Sequence, residues 1–376
     1  MRFVPALEPP LVLGAGPAGC AAAIELARAG LTPTLIDRCN TVGDPLCGGF
    51  MSWRTLAQLD ALGVQTADLG GRRVDHLRLF AHGREVHTPL PQAALGLSRH
   101  AFDSRLREVS LQCGARLAID TIRTFSGGIA RGQQRDWHAQ ALFLATGKHD
   151  IRGQSRPRTR SDPALGLRIR LPAHPAREAL VGSAIELHLF RGGYAGIVLQ
   201  EGGSANVCLA LRKSALAKAG GDPALLLDRV ASDNAHFAAR LDSDWRTARI
   251  ETVGAVPYGW IARTTEPGLF RLGDQAAVIP SLAGEGMSIA LASGVMAARH
   301  WLAGGAKAAQ TYQRAFATRA HAPVQLAKAA RTLAETRLGS TAALALARLF
   351  PALVLDLAER CRIDTDSHVQ PAVTCA

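Results

Sequence analysis

Leu11-Val12-Leu13-Gly14-Ala15-Gly16-Pro17-Ala18-Gly19 decides the fold class of this 376-residue chain. Three consecutive aliphatic residues, too apolar to alternate, read as a parallel strand buried on both faces. The glycines behind them are spaced G-x-G-x-x-G. Gly14 permits a tight turn, Gly16 lets the backbone approach a pyrophosphate, and Gly19 lets helix and strand pack closely. A helix then runs through Ala29 and stops at Gly30. Thr34-Leu35-Ile36 is the second strand, ended by Asp37 and Arg38. An acid about 20 residues beyond the first glycines accepts ribose hydroxyls. Strand, glycine loop, helix, strand and acid in this order predict a bound adenine dinucleotide, with Gly14, Gly16, Pro17, Ala18, Gly19, Asp37 and Arg38 around it. Aspartate rather than arginine at the second strand end disfavours a 2′-phosphate there.

A second motif lies far downstream. Leu269-Phe270-Arg271-Leu272 reads as a strand running into Gly273-Asp274, and after Pro280 the chain continues Gly284-Glu285-Gly286-Met287-Ser288. An aspartate at a strand end suits the hydroxyls of a sugar-like chain. The free N–H groups and positive end of the helix opened by Gly286 suit a partly negative acceptor. A flavin offers both, a ribityl chain and an electron-rich N1/C2=O edge. The plainer reading is a glycine-rich turn capping a packed helix, and the upstream fingerprint favours the flavin. Small residues on every face of the helix, from Ser288 to Ala298, are expected to let something large lie against its backbone.

Composition bounds the rest. With 48% hydrophobic and 20% charged residues the chain is globular with an ample core. No apolar run is long enough to span a bilayer, and the Ala-rich stretch Ala21–Ala29 is interrupted by Glu25 and Arg28, unlike a signal peptide. A cytoplasmic location is expected. The seven cysteines are scattered, without a Cys-x-x-Cys pair or a Cys/His cluster of zinc spacing, so no metal site is expected. The net charge of +12 comes from dispersed arginines without a nucleic-acid motif, which argues against a nucleic-acid partner. The sequence does not fix an oligomeric state.

Between the two motifs, Leu46-Cys47-Gly48-Gly49-Phe50 is too glycine-rich for a helix or a central strand. It reads as backbone approaching a flat ligand or as a tight loop, with Cys47 either a packed thiol or a redox thiol. Trp53–Gly63 predicts a helix and Val74–Leu90 a hairpin around His82-Gly83-Arg84. Ser98 is a candidate cap for the next helix. Arg99 at that helix start opposes the dipole, which either an anionic ligand or exposure to solvent would explain. Ala141–Ala145 predicts another buried strand, ending in Thr146-Gly147. From Leu167 to Arg263 alternating runs predict an antiparallel sheet, with a helix over Asp222–Leu241. After Arg299 the chain reads as helical to Arg362.

In order and spacing, Gly14–Gly19 with Asp37, Arg99–Asp103, Ala145–Gly147, and Gly273-Asp274 with Gly284–Met287 resemble the FAD-dependent proteins typified by para-hydroxybenzoate hydroxylase and geranylgeranyl reductase. The likeness covers nearly the whole chain. The Cys47 loop, Gly192-Gly193-Tyr194 and Pro257-Tyr258-Gly259-Trp260 look closer to the geranylgeranyl reductase branch. The resemblance implies an α/β fold. A Rossmann-like FAD-binding domain of the glutathione-reductase type would take residues 1–160 and 266–305, an inserted antiparallel-sheet substrate domain residues 161–265, and C-terminal helices residues 306–376. It implies FAD contacts from Arg99, Thr146, Gly147, Gly273, Asp274, Gly284, Gly286 and Met287, with Arg99 at the phosphate–ribityl region. The inserted sheet would form the substrate ceiling. One departure stands out: Ala145-Thr146-Gly147-Lys148-His149-Asp150 replaces the Asp-Gly motif by which the hydroxylases bind FAD and NADPH. NAD(P)H therefore enters only as a candidate electron donor, and no second nucleotide fingerprint is present.

The expected activity is an FAD-dependent reductase or dehydrogenase acting on a hydrophobic, lipid-like or polyketide-like small molecule. The alternatives are a monooxygenase that hydroxylates an aromatic or polyketide ring and a flavin-binding electron-transfer protein without turnover. Cys47, Tyr194, Tyr258 and Trp260 are the candidate substrate residues, and ordinary packing is the alternative for each. His149 is either a proton-transfer group or a loop histidine bonded to its neighbours. Two readings of the apolar stretch Leu344–Leu357 stay open. It either packs on the FAD domain as core or forms an apolar lip in peripheral contact with an anionic membrane.

Overall fold

The computed structural model describes residues 8–157, 161–242 and 244–363. Its first layer is a five-stranded parallel sheet. Leu11–Leu13 lies at the centre, with Thr34–Asp37 and then Arg116–Ile119 on one side, and Leu142–Leu144 and then Leu269–Arg271 on the other. The strands Leu11–Leu13 and Leu142–Leu144 are wholly buried, as their uninterrupted apolar character requires, while the edge strand Arg116–Ile119 is half-buried. The downstream motif thus returns to the sheet that carries the fingerprint. Helix Pro17–Arg28 follows the first strand, and helix Gly286–Gly304 packs across it. The small residues of the second helix serve that crossing. A Cβ on Gly294 would lie 2.2 Å from the Ala18 carbonyl oxygen, so what lies close to this backbone is another helix and not a ligand.

The second layer is an eight-stranded sheet. It is mixed rather than purely antiparallel, because Ala184–Phe190 runs parallel to Arg72–Ala81. Strand Phe50–Met51 and the hairpin Arg72–Ala81 with Arg84–Gly96 belong to it, although all three precede residue 161. The hairpin is where alternation predicts it, but pairing across the whole chain decides which sheet it joins. The outer face of this sheet buries Leu167, Ile169, Ile197, Val207, Leu209 and Leu211 against helices Pro223–Asp233 and Ala235–Leu241. A single helix expected over 222–241 is split because Asn234 leaves helical geometry. Its side chain then caps the second segment by accepting from the Phe237 N–H.

Helices Ala309–Ala334, Arg337–Leu349 and Pro351–Arg360 complete the described chain. Among the described residues no single helix is long and apolar enough to cross a membrane. The last two are bent by 112° where Phe350 meets Pro351. The stretch 344–357 divides between the two expectations: Leu344 and Ala347 are buried, while Leu349, Phe350 and Leu353 are exposed.

Candidate functional site

The fingerprint loop is shaped by two kinds of glycine. Gly14 adopts φ +107°, and a Cβ there would lie 2.4 Å from the Ala145 carbonyl oxygen. On Gly19 a Cβ would come within 1.9 Å of the Gly14 carbonyl oxygen. Both are demanded by the protein itself. A Cβ on Gly16, in contrast, would meet nothing within 4 Å, and the same is true of Gly48, Gly147 and Gly286. Their missing side chains leave open space in front of the backbone. A second asymmetry agrees with this. Helices Trp53–Ala61 and Arg99–Gln112 begin with Ser52 and Ser98, whose hydroxyls accept from Thr55 and Ala101 N–H. Helices Pro17–Arg28 and Gly286–Gly304 begin with no side-chain cap. Their first N–H groups stay available to an outside acceptor.

Asp37 accepts from the Ala15 N–H at 2.9 Å and the Cys39 N–H at 3.0 Å, with Arg107 3.6 Å away. It therefore holds the glycine loop to the second strand. Arg38 is exposed and lies 3.0 Å from His149 Nε2. Burial, and then the Arg38 charge, lower the His149 pKa, so the neutral ring accepts from Arg38. The plainer expectation for His149 therefore applies.

Arg99 is neither solvated nor unpaired. Its guanidinium donates to both carboxylate oxygens of Asp103, at 2.8 and 2.7 Å, and the pair is largely buried. This i,i+4 partner resolves the conflict with the dipole within the helix itself.

Asp274 lies in the 3-10 turn Gly273–Gln275, behind the strand end. The Gly273 N–H donates to Ser293 Oγ at 2.7 Å. The Asp274 carboxylate has no hydrogen-bond partner among the described residues, while its backbone carbonyl accepts from Arg156 at 3.0 Å. Two residues that sequence reading passed over lace this turn to Thr146-Gly147. Buried Gln275 donates to the Gly147 and His149 carbonyls at 2.9 and 3.1 Å. Buried Arg156 binds Asp150 and the Lys148 carbonyl, each at 2.8 Å. Thr146 Oγ1 donates to the His149 carbonyl at 2.5 Å. Nothing in the residues around Arg156 signals its burial.

The inner face of the larger sheet looks towards these turns. Cross-strand pairs Tyr194–Ala210, Gly196–Cys208 and Val198–Asn206 place one parity of each strand on it. Its centre is small: Gly196, Cys208 and Ala210. Asn206 is buried and donates to the Cys47 and Gly48 carbonyls at 3.0 and 2.9 Å, which fixes the Cys47 loop below the sheet. The signal was present in the sequence as large aliphatics on one parity and small or polar residues on the other.

Tyr194 and Tyr258, distant in sequence, meet at one atom. Their hydroxyls lie 2.6 and 2.8 Å from Ser281 Oγ, in the loop before Gly284. The Arg331 guanidinium stacks 4.7 Å over the Tyr258 ring. Burial pushes the Tyr258 phenol up to about 12, the Tyr194 phenol well above its ordinary value, and the Cys208 thiol up to about 12. All three are uncharged near neutrality. Trp260 packs beside Tyr258 with Ala164, Val256 and Val278 rather than making a polar contact.

Glu285 precedes helix Gly286–Gly304, and its carboxylate is wholly buried. Arg362 Nε lies 3.3 Å away, with its guanidinium 3.8 Å over the Trp53 ring. Burial raises the Glu285 pKa to about 7, and Arg362 offsets only part of that. Met287 is buried in the main core at the helix start. Gly284, at φ +69°, would bring a Cβ within 2.9 Å of the Phe50 ring.

The protein-family model described as an FAD binding domain matches residues 9–101. Menaquinone reductase of Mycolicibacterium smegmatis is 28% identical over 323 residues, covering 78% of this chain and 76% of its own length. The chain is an FAD-dependent oxidoreductase. Among solved structures, this flavoprotein superposes on a geranylgeranyl bacteriochlorophyll reductase-like protein of Thermoplasma acidophilum. The TM-score is 0.68 at 19% identity, over 94% of this chain and 98% of that one. PqsL of P. aeruginosa aligns with TM-score 0.70 at 15% identity, over 89% and 98%. At those identities the two structures speak for the fold. FAD is the cofactor.

Proposed function

We propose that this flavoenzyme is a reductase that saturates a carbon–carbon double bond in an isoprenoid-like lipid or prenylated quinone. The observation that carries the reading is the inner face of the larger sheet. Gly196, Cys208 and Ala210 form a flat centre of small residues, Arg168 beside Cys208 on the next strand is tied up in ion pairs with Asp44 and Glu251, and the neighbours Tyr194 and Tyr258 are held neutral. A shallow ceiling of small residues, with the arginine beside it neutralised by carboxylates, suits a flat or extended apolar substrate. The relatives' names agree, menaquinone reductase over most of the chain and a digeranylgeranylglycerophospholipid reductase over a shorter stretch.

In this reading the open backbone at Gly16 and the uncapped start of helix Pro17–Arg28 hold the pyrophosphate, with Asp37 and Arg38 at the adenosine side. Asp274, its carboxylate unpaired, takes the ribityl hydroxyls, and Arg99 stands near it behind Asp103. Gly286 and Met287 present N–H groups to the ring's electron-rich edge, while Thr146 and Gly147 border it on the sheet side. The bound flavin supplies hydride. The protein orients the substrate, excludes water and provides the proton that the second carbon of the double bond requires. Tyr258 Oη, bonded to exposed Ser281, is placed to hold that proton and to be refilled from solvent.

The test is anaerobic. Reduced holoenzyme is mixed with a prenyl lipid that carries no quinone ring, and flavin reoxidation is followed with product mass. Reoxidation with a gain of two hydrogens is expected. Oxygen-dependent reoxidation that yields a hydroxylated product overturns the reading in favour of a monooxygenase.

A further inference from the structure

We infer that the hairpin of helices Arg337–Leu349 and Pro351–Arg360 is a docking surface for an anionic lipid bilayer. The outward face of the first helix carries Leu338, Thr341, Ala342, Ala345 and Leu349, spaced so that they share one side. Leu338 is 86% exposed, Leu349 68%, Phe350 59% and Leu353 44%. Scattered exposed leucines need no explanation, but a contiguous exposed apolar strip marks an interaction surface. Beside it, Leu333 (53% exposed) and Lys328 help to line a groove of about 510 Å³ at the end of helix Ala309–Ala334.

Charge selects the occupant. No acidic residue stands between Glu335 and Asp356. Lys328, Arg337 and Arg348 are exposed there and have no acidic partner among the described residues. An apolar strip rimmed by unpaired cations matches acyl chains beneath anionic headgroups. A second copy of this chain fits less well, because a two-fold interface over the strip would bring Arg337 and Arg348 against their own equivalents. The 112° bend at Phe350–Pro351 and the burial of Leu344 and Ala347 on the inward face describe a hairpin that lies on a surface rather than one that spans.

The hairpin also leans on the candidate site at both ends. Leu344 shares a core with Tyr194, Leu189 and Leu282, next to Ser281. Just past the second helix, Arg362 pairs with Glu285 beside Gly286. A bilayer under the hairpin is thus held against the elements that frame the proposed substrate face. This deepens the proposed reductase reading and rests on it only for the lipid nature of the substrate.

The experiment needs no turnover. FAD-loaded protein is co-sedimented with vesicles of phosphatidylglycerol and with vesicles of phosphatidylcholine, at low and at high salt. Two variants are compared, Leu338→Glu with Leu349→Glu, and Arg337→Glu with Arg348→Glu. Both change exposed positions, so FAD content and thermal unfolding should match the parent. Binding to the anionic vesicles at low salt is expected, weakened at high salt and reduced at least tenfold in each variant. Parent protein left in the supernatant, or variants that bind like the parent, overturns the proposal. Concentration-dependent dimers abolished by Leu349→Glu, without vesicle binding, would assign the surface to a second copy. Vesicle binding together with failure to reduce any prenyl lipid would leave the surface standing and remove only the reductase reading.

Discussion

The two faces that frame the site are built from different materials. The nucleotide end is backbone: a glycine loop, two helix starts without side-chain caps, and open space at Gly16 and Gly286. The proposed substrate end is side chains: Tyr194, Cys208 and Asn206 from the larger sheet, Tyr258 from the segment between the two sheets, Ser281 from the loop before Gly284. Backbone recognition admits few residue types at each position. A surface of side chains tolerates many solutions, provided that size and polarity are right. The first is therefore rigid in sequence and general in chemistry, and the second, under the proposed reading, sets what the enzyme acts on.

The sharpest way to break this contrast is within the fingerprint itself. Gly19→Val should yield no soluble folded protein, since its Cβ would fall 1.9 Å from the Gly14 carbonyl oxygen. Gly16→Val should fold, because that Cβ meets nothing, yet purify largely without flavin. Circular dichroism and the flavin-to-protein absorbance ratio check both. A Gly16→Val protein with full FAD would remove the pyrophosphate from this loop.

Glu285 tests whether the helix start is electrostatically poised. Burial raises its pKa from 4.5 to about 7, so the folded state keeps a proton that the unfolded chain releases. The sign follows: stability is unaffected below about pH 4.5, falls as pH rises to 7, and is level above. The loss is on the order of 3 kcal/mol across that window. Thermal unfolding of holoenzyme and Glu285→Gln from pH 4.5 to 8 should show the parent losing ground to the variant as pH rises. Parallel profiles would mean that Arg362 keeps Glu285 ionised throughout.

Asp274→Ala should weaken FAD by about 1–3 kcal/mol, the cost of losing hydrogen bonds to a charged acceptor. The fold should survive, since only the Asp274 backbone carbonyl is used by the protein, through Arg156. Fluorescence titration of apoprotein reads the affinity, and an unchanged Kd would take the ribityl chain away from Asp274. The smallest effect is expected at the tyrosines. Tyr194→Phe and Tyr258→Phe should each cost about 1 kcal/mol of stability through the lost bond to Ser281. Under the proton role given to Tyr258, only its variant should also slow anaerobic reduction.

Several elements were legible because a local physical rule has few alternatives. The buried strand before Gly14, the stop at Gly30, the Ser98 cap and the helix start at Gly286 each follow from residues within one turn of themselves. Arg99 was legible as an anomaly but not as a solution, since exposure and an external anion were considered while Asp103 one turn away supplies the partner. The helix over 222–241 was overread because Asn234 works equally well as a helix surface residue and as the cap that splits it.

By itself, the sequence determined the parallel sheet around Leu11–Leu13, the dinucleotide loop and the strand and helix that return at Gly273 and Gly286. Each is encoded by contiguous residues whose backbone geometry leaves little choice. Only the tertiary structure decided which sheet takes the hairpin 72–96, that Gln275 and Arg156 bind the turns together, and that Tyr194, Tyr258 and Ser281 converge. Strand pairing and side-chain convergence are non-local: their free energy comes from partners more than a hundred residues apart, and no window of sequence contains both.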